Sequence, residues 1–188
     1  MEYFFLSESL HSNARGIHYR NVEKGFWEEI NSDSRQCVLI VSELSEVIEA
    51  HRLGRFFNRD AFNQSMLKGP RNFKKAFVEN IKGTVEVELA DAWIRIVDWH
   101  YYLLKESPTI TPEFESVESS WVVGLSLEEF ISQLMYQVLH LRVTKVHLNS
   151  LRGAIEAYCI DRGYNLKFFI ENKMTYNSYR PKYHAKAY

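Results

Sequence analysis

Two acidic pairs carry the chemistry this chain could do. Glu43-Leu44-Ser45-Glu46 lies within LIVSELSEVIEAHRLG, and Glu88-Leu89-Ala90-Asp91 within TVEVELADAWIRIVDWHYYL. Both stretches have helical periodicity, and residues three apart on a helix sit about 60° apart around its axis. Each pair therefore faces one way. Two such helices side by side would bring four carboxylates to one point, and anions gather among apolar residues only with cations to hold them. All-oxygen ligands suit a hard cation. Mg²⁺ fits best, because it takes few protein ligands and completes its shell with water and phosphate oxygens. Such an ion polarises a phosphoryl oxygen, and a carboxylate not used as a ligand can orient or deprotonate water. A basic counterpart lies in the tail, LKFFIENKMTYNSYRPKYHAKAY, where Lys173, Asn177 and Arg180 follow at spacings of four and three just before Pro181. Two cations and an amide on one face suit polyphosphate. The chemistry these residues point to is phosphoanhydride hydrolysis on an all-helical scaffold. One Glu-x-x-Glu on a helix is usually a solvated face; two on apolar helices, with a basic tail, are more specific.

The elements that must position them follow from periodicity and capping. Leu6, Leu10, Ala14 and Ile17 predict a first helix over residues 2–18, with His11 and His18 beside the stripe as packing or surface residues. Gly25 permits a sharp turn ahead of Phe26 and Trp27, aromatics that serve as core lids or as stacking platforms for a planar ligand. Asn31, Ser32, Asp33 and Ser34 are capping residues for a helix from about Arg35 to Leu53, stopping near Gly54. Its apolar residues wrap most of the circumference, which predicts a central helix. Glu43 and Glu46 are expected to point into apolar surroundings, and Glu49 towards Arg52. Residues 54–83 are basic and aromatic, punctuated by Gly54, Gly69-Pro70 and Gly83, with a short helix over 72–81. They read as a lid over a site for an anionic ligand. Thr84 is a fair N-cap for a second central helix reaching about Leu104. On it Glu86 is expected to face solvent, Arg95 to lie one turn beyond Asp91, Asp98 to extend the acidic stripe, and His100 to be structural. A Pro/Ser/Glu-rich loop over 107–120 leads to the capping box Ser126-Leu127-Glu128-Glu129. That opens a helix running to about residue 146, and another helix ends near Gly163. Neither carries a Glu-x-x-His repeat, so a redox di-metal bundle is poorly supported.

Composition narrows the class. The chain has 188 residues, 46% of them hydrophobic and 14% aromatic, enough for one domain with a sizeable core. A formal net charge of −1 gives no overall field towards nucleic acid or an anionic membrane, and a stable nucleic-acid partner is not expected. Cys37 and Cys159 lack metal spacing and suggest unpaired thiols in a reducing compartment. The N-terminus lacks the pattern of a signal peptide and no apolar run is long enough to span a membrane, so the expected location is cytoplasmic. No P-loop, dinucleotide-binding glycine run, CxxC, HExxH or GxSxG is present.

SELSEVIEAHR together with VEVELADAWIRIVD resembles the ExxE…ExxD signature of the MazG-like, all-α nucleoside triphosphate pyrophosphohydrolases, which include dimeric dUTPases and dCTPases. KMTYNSYRPKYHAKAY is similar to the Lys, Asn and Arg pattern that closes these domains, and KGFW resembles the segment before their first acidic helix. The resemblance covers roughly the N-terminal half of the chain plus the tail. It implies a single domain over 1–188 with a four-helix-bundle core, 54–83 as an insertion between the acidic helices, and the helices at 126–162 as extra. It implies Mg²⁺, with Mn²⁺ as a substitute, held by Glu43, Glu46, Glu88 and Asp91. The implied reaction takes a nucleoside triphosphate to the monophosphate and pyrophosphate, a house-cleaning step in the nucleotide pool. Glu46 is the candidate for activating water, with Glu43 beside it and Glu49 the alternative. Lys173, Asn177 and Arg180 would hold phosphates, Trp27 and His18 would lie near the base, and the assembly would be a homodimer or homotetramer. The alternative is a non-enzymatic helical module that binds nucleotide or nucleic acid through 54–83 and the tail.

Overall fold

A computed structural model describes residues 7–28, 32–105, 119–140 and 144–182, with side chains from residue 14. Among them the chain is all-helical, with eight α-helices in a bundle-like packing. Residues 2–6 of the first predicted helix, the His11 side chain, Asn31, most of the 107–120 loop and the end of the tail lie outside the described residues. No helix among those described is long and apolar enough to cross a membrane.

Helix α5 (Val85–Lys105) is the axis of the molecule. Nearly all of it is buried, from Val85 through Tyr101 with Arg95 the one half-exposed position, as expected for a helix that is apolar around its whole circumference. Helices α1 (Ser7–Glu23), α2 (Asp33–Arg52), α7 (Lys145–Asp161) and α8 (Leu166–Ser178) pack around it. Helix α6 (Leu127–His140) lies against α2. Trp93, Trp99, Leu89 and Ile96 of α5 are essentially inaccessible and meet Ile40 and Leu44 of α2 and Leu151 and Ile155 of α7 in the main core.

Three boundaries differ from the sequence expectation. α1 continues past Ile17 to Glu23 because His18 and Asn21 extend its buried face with polar contacts to α5. The turn that follows contains Gly25, whose φ of 88° is the left-handed conformation expected there. The predicted helix over 126–146 stops at His140, and α7 begins instead at Lys145, where the Thr144 hydroxyl caps the His147 amide at 3.1 Å. A hydroxyl satisfying an orphan amide outweighs the continuous apolar run that suggested one long helix. Within 54–83 a further helix, α3 (Arg59–Met66), is capped by Asn58 and precedes α4 (Phe73–Asn80). α2 is also less central than expected, with Val38 62% exposed.

The 54–83 segment is a packed unit with its own small core. Phe62, Ala76, Phe77 and Ile81 join Val87 and Ala90 of α5 and Phe169 of α8. Phe77 stacks on Tyr176 of α8, centroids 4.3 Å apart and planes within 11°. Glu86, expected in solvent, is buried and accepts the Phe57 amide at 3.1 Å, which straps this segment to the start of α5. Burial holds its carboxyl above the ordinary range.

Candidate active site

The two acidic pairs meet. Glu43 and Glu46 of α2 and Glu88 and Asp91 of α5 line one cavity of about 290 Å³. Lys173 and Asn177 of α8 and Arg180, just beyond its end, line the same cavity. All seven residues expected to hold metal or phosphate therefore converge. Glu43, Glu88 and Asp91 are buried, and each offers a carboxylate oxygen within 4.8 Å of the others. Glu46 departs from expectation. It is exposed at the rim rather than set among apolar residues, because α2 presents that position outward beside Ser45 and Glu49.

Two cations offset the buried acids. Lys173 Nζ donates to Asp91, and Arg95 Nε donates to Glu43 at 3.0 Å. The compensation is partial. Burial, the neighbouring Asp91 charge and, more weakly, Glu46 and Glu43 push the Glu88 carboxyl up to about 8 against the pull of Lys173. Asp91 is pushed up to about 6 by burial, with Lys173 opposing. The buried carboxylates hold Lys173 above its ordinary value despite its burial. Excess negative potential at three converging oxygens fits a hard divalent cation. The Asn177 Oδ1 atom is buried in the cavity wall with no hydrogen-bond partner among the described residues.

Local structure explains how these groups are held. Lys24, in the turn after α1, donates to the Ser178 and Arg180 carbonyls at the end of α8. A cation on the last carbonyls of a helix is favourable, and here it fixes Arg180 beside Asn21 on the cavity wall. Phe26 lies under the Arg95 guanidinium, 5.6 Å from ring centroid to Cζ.

Phe26, Glu43 and Arg95 also form one side of a second, smaller recess of about 80 Å³, bounded further by Trp27, Gln36, Ser42 and Asp98. Trp27 lies on this recess and not in the acidic cavity. Its ring stacks on Tyr102 at 4.3 Å and its Nε1 donates to Asp98 at 3.1 Å. His18 lines neither space. It is fully buried, with Nδ1 2.7 Å from Asp98 and Nε2 3.1 Å from the Lys105 ammonium. An ammonium only donates, so Nε2 accepts and Nδ1 carries the proton to Asp98. Asp98 thus does not extend the acidic stripe. It shares the face of Asp91, two turns on, but His18, Asn21 and Trp27 consume its oxygens.

Arg95, Lys82, Asn21 and Phe26 belong to the cavity wall without having been singled out as site residues. Arg95 had a signal, one helical turn after Asp91. Lys82 had a weaker one, a lysine in the glycine-punctuated turn directly before the second acidic helix. Glu49 pairs with Arg52 at 3.0 Å and stays outside the cavity, as its register implied. His100 is buried and its imidazole is pushed down to about 4 by burial and the Arg152 and Lys145 charges, in keeping with a structural role.

Comparisons with protein-family models, with curated proteins and with solved structures return no match.

Proposed function

We propose that the chain is a Mg²⁺-dependent nucleoside triphosphate pyrophosphohydrolase of MazG-like type, cleaving a (deoxy)nucleoside triphosphate to the monophosphate and pyrophosphate. The observation that carries this reading is the convergence in one cavity of Glu43, Glu46, Glu88 and Asp91 with Lys173, Asn177 and Arg180. The donor set fits the metal: oxygen ligands only, three of them mutually within 4.8 Å, in a pocket short of positive charge. Glu43, Glu88 and Asp91 would hold Mg²⁺, with Glu46 at the open side. When bound, Mg²⁺ supplies Lewis-acid polarisation of a phosphoryl oxygen. Glu46, solvated and facing the cavity, takes the proton of the attacking water at its carboxylate. Lys173, Arg180 and the side-chain NH2 of Asn177 donate to phosphate oxygens. The smaller recess behind Phe26 and Arg95 suits the nucleoside end, with Trp27 at its wall and His18 acting through Asp98. A homodimer or homotetramer belongs to this reading, and light scattering on the purified chain decides it.

The test is a panel of ribo- and deoxyribonucleoside triphosphates incubated with Mg²⁺ (and Mn²⁺), with products resolved as monophosphate plus pyrophosphate. Turnover that survives both Glu43→Gln and Glu88→Gln, or no turnover across the panel, refutes the proposal. A non-enzymatic nucleic-acid module is the second reading, favoured by the exposed basic residues Arg55, Arg59, Lys68, Lys74 and Lys75. It requires salt-sensitive oligonucleotide binding that ignores EDTA and the four acids.

A further inference from the structure

We infer that Lys82, carried by the 54–83 segment, is a phosphate-binding residue of the same cavity and sets its preference for a chain of phosphates over a single one. The inference rests on the reading of the cavity as a nucleoside triphosphate site. Lys82 lines the cavity, at the turn between α4 and α5, and is exposed to solvent. The other lysine on the wall, Lys173, is tied to Asp91, and Arg95 is tied to Glu43. The Lys82 ammonium makes no ion pair or hydrogen bond among the described residues. It can therefore meet an arriving anion without first giving up a carboxylate.

The backbone that presents it is fixed. Lys82 and Ile81 both donate their amides to the Phe77 carbonyl at 2.9 Å, closing α4. Gly83 follows at a φ of 75°, a left-handed position that favours glycine. The Thr84 hydroxyl then binds back to the Ile81 carbonyl at 2.8 Å. Phe77 itself stacks on Tyr176, the neighbour of Asn177. One aromatic pair thus sets the Lys82 turn against the end of α8, where Asn177 and Arg180 meet the cavity. A lysine on a hydrogen-bonded turn, lining the same cavity as an amide and an arginine, adds to the phosphate donors beyond what one phosphate can use. Because the side chain is exposed, removing it loses little packing and leaves the fold intact.

The experiment is calorimetric titration with inorganic tripolyphosphate and with a nucleoside monophosphate, each with Mg²⁺, alongside steady-state kinetics on the best triphosphate. Lys82→Ala should weaken tripolyphosphate binding and raise KM about 10-fold to 100-fold. Monophosphate binding and the melting temperature should stay as in the parent. Lys82→Arg should restore most of the loss. Lys167→Ala, a lysine on α8 paired with Glu171 away from the cavity, should change nothing. If the parent chain binds tripolyphosphate and turns over a triphosphate, yet Lys82→Ala does both equally well, Lys82 has no such role. If tripolyphosphate and monophosphate binding weaken alike, the preference is overturned. A parent chain that neither binds nor cleaves any of these ligands fails at the broader reading, and this one falls with it.

Discussion

Glu88 is the residue on which the cavity's electrostatics turn. Its carboxyl, ordinarily near 4.5, is held up to about 8 by burial and by neighbouring acids. In the unfolded chain it ionises near its ordinary value. Between those two points the folded protein keeps a proton that the unfolded chain has released, so metal-free stability falls as pH rises through that window. Asp91, pushed up to about 6, acts with the same sign. The expected outcome is a lower metal-free melting temperature at about pH 8 than at about pH 5.5, with added Mg²⁺ recovering more at the higher pH. Glu88→Gln removes the ionisation cost. At about pH 8 it should raise the metal-free melting temperature, by roughly 2–4 °C for each kcal/mol recovered, reduce the pH slope and abolish the Mg²⁺ response. A scanning calorimetry series over pH checks all three. Asp98 gives the opposite case. It joins His18, Asn21 and Trp27 in a buried network, and Asp98→Ala leaves three donors without their acceptor. The expected loss is about 3–5 kcal/mol in a urea melt, with the acidic cavity's metal response retained.

Among the helices, α5 and the 54–83 segment decide how the site is assembled. α5 supplies carboxylates in separate directions: Glu86 to the Phe57 amide, Glu88 and Asp91 to the cavity, Asp98 to α1. Periodicity made α5 legible, together with its acidic pair, because an apolar helix with interrupting acids at a spacing of three is an unusual pattern. The capping box at Ser126 and Glu129 was equally legible, and both of its hydrogen bonds form, at 2.9 and 3.2 Å. The places of Glu86 and Asp98 are not legible in the sequence because their partners lie 29 and 80 residues away, on segments whose docking no local pattern encodes. α3 is not legible for a related reason. It is eight residues long with one buried residue, Phe62, so its amphipathic signal is too short to separate from a loop. The Phe77–Tyr176 stack gives a test at this scale. Phe77→Leu keeps an apolar side chain in the small core but loses the aromatic contact, at an expected cost of about 1–2 kcal/mol. If this stack aims the α4–α5 turn, the same variant should raise KM for the triphosphate while leaving kcat near the parent value, measured below the new melting temperature.

Charge is unevenly spread over the whole molecule. The net value of −1 conceals a basic sector. Residues 54–83 contribute Arg55, Arg59, Lys68, Arg71, Lys74, Lys75 and Lys82 against only Asp60 and Glu79, so the rest of the chain is distinctly acidic. The sector is continuous with the cavity through Lys82 and the Arg55 guanidinium, which lies against Gly83. A polyanion approaching a nearly neutral protein would therefore meet an attractive field at this segment, which reaches the acidic cavity through Lys82. Fields of this kind act on encounter and weaken once the screening length falls below the distance to the charges, about 10 Å at 0.1 M salt and shorter above it. Lys74 and Lys75 are exposed on α4 and line neither cavity, and the one ion pair they make among the described residues, Lys75 with Glu79 at 3.8 Å, is on the surface, so they probe the field without touching the site. The double substitution Lys74→Glu, Lys75→Glu should lower kcat/KM for a triphosphate about 3-fold to 10-fold at roughly 0.05 M salt. At roughly 0.5 M salt the double variant and the parent should converge to within about 2-fold. A difference that persists undiminished at high salt would instead place these lysines in contact with the bound substrate, making α4 a wall of the site rather than the source of its field.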